Sequence, residues 1–232
     1  MPSQGRAANT RLDQRGDRDG FVTSADAPAL GSNEVHLWHA VLAAGDVRAA
    51  RIQAREVLHE VLRRYLGPRE LGFELAAHGK PGLKGNPELQ FNLSHCGMHV
   101  VIALARAQPL GVDIESLSRR VDALELARRF FHADEATALA ALPDSAQAAA
   151  FLSLWTHKEA VLKALGHGLA FGLDRLRFAL DEAGRVQQLR ALADDAEAAV
   201  HWQLHAFMPA PALTGCLAWR GPPRRVRRLR VA

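Results

Sequence analysis

Two carboxylates stand one residue apart in Gly111-Val112-Asp113-Ile114-Glu115, and a third follows in Trp155-Thr156-His157-Lys158-Glu159-Ala160-Val161-Leu162-Lys163. A strand sends residues i and i+2 to one face, so Asp113 and Glu115 point the same way while Val112 and Ile114 point into packing. A helix keeps i, i+4 and i+8 on one stripe that drifts by about 40° per step, so Trp155, Glu159 and Lys163 share a face. Where that strand end meets that helix face, three carboxylates and a lysine converge. Such a cluster repels itself without a divalent cation, and carboxylate oxygens are donors that magnesium takes. Asp113, Glu115 and Glu159 are therefore the candidate metal ligands. Two plainer readings compete. The acid pair on the strand is also what surface acids beside arginines look like. Lys158, Glu159 and Lys163 also fit a solvated helix face, where charge pairs contribute only about 0.3 kcal/mol each. The frame of Leu110, Val112 and Ile114 argues against the first, and the nearness of Trp155 and Leu162 argues against the second.

Three further groups could carry chemistry. Ser94 and His95 are neighbours in Phe91-Asn92-Leu93-Ser94-His95. Neighbours on a strand point to opposite faces, so a serine-to-histidine relay is poorly arranged, and no G-x-S-x-G elbow is present. Contacts to a phosphate suit them better; the plainer alternative is a cap for the strand that follows. Lys80, between Gly79 and Pro81, is a compact positive charge on a Gly/Pro-rich loop. Arg48, Arg51 and Arg55 make a basic stripe at helical spacing, which is also how a solvated helix face reads.

The elements that must position these residues follow from periodicity. A short alternating strand begins at Val35, and a helix spans 47–66, with Ile52, Val57, Leu58, Val61, Leu62 and Tyr65 at helical spacing and Gly67-Pro68 as its stop. Residues 71–75 read as a short strand and 78–87 as a loop. Strand-like runs at 90–93, 99–105 and 110–115 predict one small antiparallel sheet. Helices follow at 121–131, 133–142 and 146–165, the last capped by Asp144-Ser145 and ended by Gly166. Strands at 175–180, 199–207 and 213–219 follow, with a turn at 181–184. Each half thus reads as a helix followed by an antiparallel sheet. The echo between Arg55-Glu56-Val57-Leu58 and Lys158-Glu159-Ala160-Val161-Leu162 suggests an α+β protein of two similar halves, residues 34–115 and 116–221, related by a pseudo-twofold. Residues 1–33 read as a disordered tail and residues 222–232 as a basic one.

Composition narrows the class. The chain has 232 residues, 48% of them hydrophobic, and a formal net charge of +4. The charge favours an anionic partner: nucleic acid, a phosphorylated small molecule or an acidic protein. Cys96 and Cys216 show no metal spacing, which predicts a reduced, cytoplasmic chain. No apolar leader follows the N-terminal arginines, and no run approaches the ~18 apolar residues of a membrane span.

Taken together, Gly79-Lys80-Pro81, Asn92-Leu93-Ser94-His95, Gly111-Val112-Asp113-Ile114-Glu115, Arg129-Phe130-Phe131 with Glu135, Trp155-Thr156-His157-Lys158-Glu159-Ala160 with Lys163, and Gly166-His167-Gly168-Leu169 resemble the 4′-phosphopantetheinyl transferase superfamily, its two-halved, Sfp-type subgroup most of all. The match runs from about Val47 to Leu180 and is specific in order and spacing together. The resemblance implies an enzyme that moves the phosphopantetheine arm of coenzyme A onto a serine of an acyl or peptidyl carrier protein and releases 3′,5′-ADP. It implies that Asp113, Glu115 and Glu159 hold magnesium, that Glu159 takes the serine proton directly or through water, and that Lys163, aided by Lys158, neutralises the pyrophosphate. Ser94, His95 and Lys80 would meet the 3′-phosphate and adenosine end. One departure stands out: the family carries a basic helical stretch between the first strand and the helix at Val47, and Trp38 to Val47 is too short for it. Arg48, Arg51 and Lys84 are the residues left to compensate. A monomer is expected, since both halves lie in one chain. Two rivals remain at this point: a degenerate coenzyme A-binding homologue without activity, and a nucleic-acid binder using Arg224, Arg225, Arg227, Arg228 and Arg230, which lacks interleaved aromatics.

Overall fold

The computed structural model describes residues 20–232 other than 44, 194 and 196. In chain order the elements are β1 (Val22–Ser24), β2 (Glu34–Val41), α1 (Val47–Leu66), β3 (Phe73–Leu75), β4 (Pro81–Leu83), β5 (Leu89–Cys96), β6 (His99–Arg106), β7 (Leu110–Ser116), α2 (Ala123–Phe130), α3 (Ala133–Ala140), α4 (Asp144–Leu165), β8 (Leu176–Leu180), β9 (Val186–Leu192), β10 (Trp202–Phe207), β11 (Leu213–Arg220) and β12 (Arg225–Val231). The protein is mixed α+β. Helix α1 has the bounds expected from its spacing; Asp46 caps it by accepting from the Ala49 amide at 2.8 Å, and Gly67 closes it. Helix α4 begins at Asp144, one residue after Pro143, with no side-chain cap, and ends in a left-handed Gly166.

Two sheets lie back to back, each covered by a helix on its outer face. The first has the order β1-β12-β2-β6-β5 and the second β10-β11-β7. Strand alternation sorts the side chains. On β6, Val100, Ile102 and Leu104 meet Ala54, Leu58, Val61 and Leu62 of α1, while Val101, Ala103 and Ala105 meet Leu110, Val112 and Ile114 of β7 and Leu217 and Trp219 of β11. The other face of the second sheet, with Cys216 and Ala218, packs on α4, α2 and the β8–β9 hairpin. Each fully buried Leu, Ile or Val contributes about 1.5–3 kcal/mol, so both faces of both sheets are committed to core.

Five expectations change. The runs at 90–93, 99–105 and 110–115 do not share one sheet: β5 pairs with β6, but β7 pairs with β11 from Leu110↔Trp219 to Ser116↔Leu213. Period-2 alternation names a strand's faces and not its neighbour. The boundary set at 115/116 accordingly cuts through β7. The basic tail at residues 222–232 is instead β12, an interior strand parallel to both β1 and β2, with Leu229 buried. Its arginines alternate with Val226, Leu229 and Val231 too irregularly to announce a strand, and the nucleic-acid reading that rested on a free tail loses its geometry. The first sheet is therefore mixed and not purely antiparallel. The tail expected over residues 1–33 lies outside the described residues up to 19. Beyond that it is ordered, with β1 on the sheet and Phe21 buried between the sheets; a strand of three residues is too short to show a period.

Candidate functional site

The two acids of β7 and the charged stripe of α4 meet because nothing separates the two backbones at Gly111. A Cβ placed there would lie 2.1 Å from the Ala160 carbonyl oxygen, 2.4 Å from the Ala164 nitrogen and 2.8 Å from Lys163 Cβ. Two residues on, Asp113 faces the same helix. Its Oδ1 accepts from Lys163 Nζ at 2.6 Å and from Ser94 Oγ at 2.8 Å. Lys163 Nζ also donates to the Val112 carbonyl at 3.2 Å. Glu115, nearer solvent, accepts from Arg119 at 2.6 Å through Oε2, and the Cys96 thiol lies 3.4 Å from its Oε1. Glu115 thus has an arginine partner, whereas Asp113 is paired with a lysine.

Strand β5 completes the frame from the other side. The Val112 amide donates to Asn92 Oδ1 at 2.8 Å, and the Ile114 amide reaches Ser94 Oγ at 3.3 Å. These side chains stand in for the ladder bonds that the free edge of β7 would otherwise lack. Ser94 therefore braces Asp113 from β5.

Burial dominates the electrostatics. It pushes the Asp113 carboxyl above the usual range, with Lys163 and Ser94 pulling it back and Glu115 adding to the rise. Burial, then the Asp113 charge, raise Glu159 to about 7 against an opposing pull from Lys163. Glu159 Oε1 is buried and has no hydrogen-bond partner. An orphaned buried carboxylate oxygen is costly and is what a cation or a proton would satisfy. Among the described residues no three acids, histidines or cysteines are gathered closely enough to hold an ion as they stand. The donors fit magnesium in kind, all carboxylate oxygen, and their final arrangement would have to form around the ion.

Comparisons with known proteins bear on this site directly. The family described as the 4′-phosphopantetheinyl transferase superfamily matches residues 109–215, a span that contains β7 and α4, the two elements that bring the acids together, and ends at the start of β11. The chain is 38% identical over 163 residues to the 4′-phosphopantetheinyl transferase psf-1 of Bacillus pumilus, covering 70% of this chain and 66% of that one. It is 34% identical over 181 residues to the 4′-phosphopantetheinyl transferase HetI of Nostoc sp., covering 65% and 76% respectively. The chain belongs to the 4′-phosphopantetheinyl transferase superfamily. Against the 4′-phosphopantetheinyl transferase Sfp of Bacillus subtilis it is 35% identical over 127 residues, covering 54% of this chain and 55% of that one. It thus spans from about half to about three quarters of these curated relatives.

The remaining residues singled out for this transferase fold fall in different places. Lys80 reaches the same strand–helix junction, donating to the Leu110 carbonyl at 2.9 Å and the Ala164 carbonyl at 3.2 Å, and burial lowers its pKa to about 8. His95 is exposed near the end of β5. Arg48 and Arg51 are exposed at the start of α1, in another layer. The loop leading to them leaves the sheet where the Leu42 amide donates to the Met98 carbonyl, close to the end of β5. Lys158 is corrected outright: it is fully buried, paired with Glu135 at 2.7 Å, and turned away from the acids. Charge at position 158 looked like part of the site because Glu159 is its neighbour, but adjacent helical residues are about 100° apart. Sequence reasoning passed over the packing role of Gly111 and the stitching role of Asn92. The first was signalled by a glycine inside a strand pattern; the second had no signal, because it depends on which strand lies alongside.

Proposed function

We propose that this chain transfers the 4′-phosphopantetheine arm of coenzyme A to a serine hydroxyl of an apo acyl or peptidyl carrier protein and releases 3′,5′-ADP. The observation that carries this is the junction of β7 and α4, where Lys163 meets Asp113 and Glu159 keeps an unsatisfied oxygen. The serine oxygen attacks the phosphorus that bears the pantetheine arm, the anhydride bond to the nucleotide breaks, and the serine proton must leave. Glu159 would take that proton, directly or through water; burial raises its carboxyl to about 7 in the metal-free site. Lys163 is partly exposed, so its ammonium can turn from Asp113 to the pyrophosphate and neutralise charge on the departing nucleotide. Asp113, Glu115 and Glu159 would hold magnesium, which supplies charge neutralisation across the pyrophosphate when bound. His95 and Lys80, with Arg48 and Arg51 beyond the end of β5, would meet the 3′-phosphate end.

The α1-covered and α4-covered sheets are the two halves of the pseudo-twofold in this reading, and both halves being present in one chain makes a monomer sufficient. A carrier protein, commonly acidic, suits the net charge of +4. No described helix is long and apolar enough to cross a membrane, and the reaction we propose belongs in the cytoplasm. Apo carrier protein incubated with the chain, coenzyme A and magnesium should gain the mass of one phosphopantetheine. No gain across fatty-acid, polyketide and nonribosomal-peptide carriers would overturn the proposal. Calorimetry with coenzyme A and magnesium separates loss of activity from loss of binding.

A further inference from the structure

Helix α4 is apolar nearly all round. Ala150, Phe151, Leu152, Leu154, Ala160, Val161, Leu162 and Ala164 are all buried, and they come from every side of the helix. Hydrophobic burial is non-directional, so a helix of this kind gains similar burial at several rotations about its own axis. The site tolerates only one. A turn by a single residue, about 100°, would carry Glu159 and Lys163 off β7.

Among the described residues, the strongly directional side-chain contact that α4 makes away from β7 is that of Lys158. Its ammonium, fully buried, bonds Glu135 at 2.7 Å, donates to the Leu173 carbonyl at 2.9 Å and also to the Leu176 carbonyl. It lies 4.8 Å from the ring centre of Phe131 and 5.5 Å from that of Phe178. Glu135 is held just as firmly: Oε1 accepts from the Phe178 amide at 2.7 Å, and Oε2 accepts from the His132 amide at 3.0 Å as part of the capping box of α3. The pair therefore ties α4 to the start of α3 and to β8, and no member of it touches the acids of β7.

We propose that the buried Glu135–Lys158 pair sets the rotation of α4, so that Glu135 and Lys158 are positioning residues that keep Glu159 and Lys163 facing β7. The inference rests on the transferase reading of that site. A buried ion pair is a weak source of stability compared with an apolar replacement, and in some proteins its use is to fix one arrangement among several. Removing the pair should then cost function more than fold.

The test is the double variant Glu135→Gln/Lys158→Met, which removes both charges while the glutamine carbonyl can still accept from the Phe178 amide. It is expected to melt cooperatively within a few degrees of the wild type. Its kcat for transfer should fall at least tenfold with KM for coenzyme A changed less than twofold, and the Lys163 side-chain ammonium resonance should lose the shift that marks its bond to Asp113. A folded double variant with wild-type kcat and an unmoved Lys163 resonance overturns the proposal. Should the double variant fail to fold, Lys158→Met alone, which leaves Glu135 its bonds from the Phe178 and His132 amides, is read by the same resonance, with the same two outcomes. A wild-type protein that modifies no carrier overturns the transferase reading, and the Lys163 resonance still decides whether the pair orients the helix.

Discussion

Glu159 is the residue whose state most constrains the site. Its carboxyl titrates near 7 in the fold against an ordinary value of 4.5. The unfolded chain therefore releases this proton at lower pH than the native one, and the native state holds more protons between about 4.5 and 7. The sign follows: stability from this group is fully present below 4.5 and is lost as pH rises through 7. The size is on the order of 2–3 kcal/mol, reduced by the part of the side chain that solvent screens. In metal-free protein the urea midpoint should fall between pH 5 and 8, and Glu159→Gln should flatten that fall while abolishing transfer. Equal slopes in the two proteins would mean that Glu159 is not the buried acid described. Asp113 shares the same environment, so the two carboxyls titrate as a coupled pair.

At the scale of elements, the site is the contact of one strand with one helix, and Gly111 is its gauge. Its Cβ vector runs into the α4 backbone and not into a movable side chain, so Gly111→Ala must push the helix outward. Overpacking of this kind costs about 1–3 kcal/mol or more. Because the displacement falls between Asp113 and Lys163, transfer should drop by at least tenfold even in the fraction that stays folded, measured as kcat per mole of native protein. Asn92 and Ser94 hold the other edge of β7. Ser94→Ala removes a donor to Asp113 and an acceptor for the Ile114 amide, whereas Lys80 keeps its two backbone carbonyls. The serine change should therefore weaken transfer at saturating coenzyme A. A residue whose only role was to grip the 3′-phosphate would raise KM for coenzyme A instead, and leave kcat alone.

At the scale of the molecule, the layers α1, first sheet, second sheet and α4 are bound by a chain that closes on itself. Strand β12, the last element, lies between β1 and β2 near its beginning. Deleting residues 222–232 would open the edge of β2 and strip Leu229 from the α1 core. The truncated protein should lose its cooperative thermal transition; a melting temperature equal to that of the full chain would restore the tail reading. What the sequence determined by itself is whatever depends on near neighbours along the chain. The bounds of α1, the shared face of Asp113 and Glu115, and the stripe through Glu159 and Lys163 all follow from backbone periods of 2 and 3.6. Tertiary structure alone decided which strand β7 lies beside, that Ser94 braces Asp113, that Lys158 turns inward to Glu135, and that a run of arginines is an interior strand. Each of these turns on a partner far away in sequence, chosen by how faces pack and which buried polar groups find each other, and no local period encodes that choice.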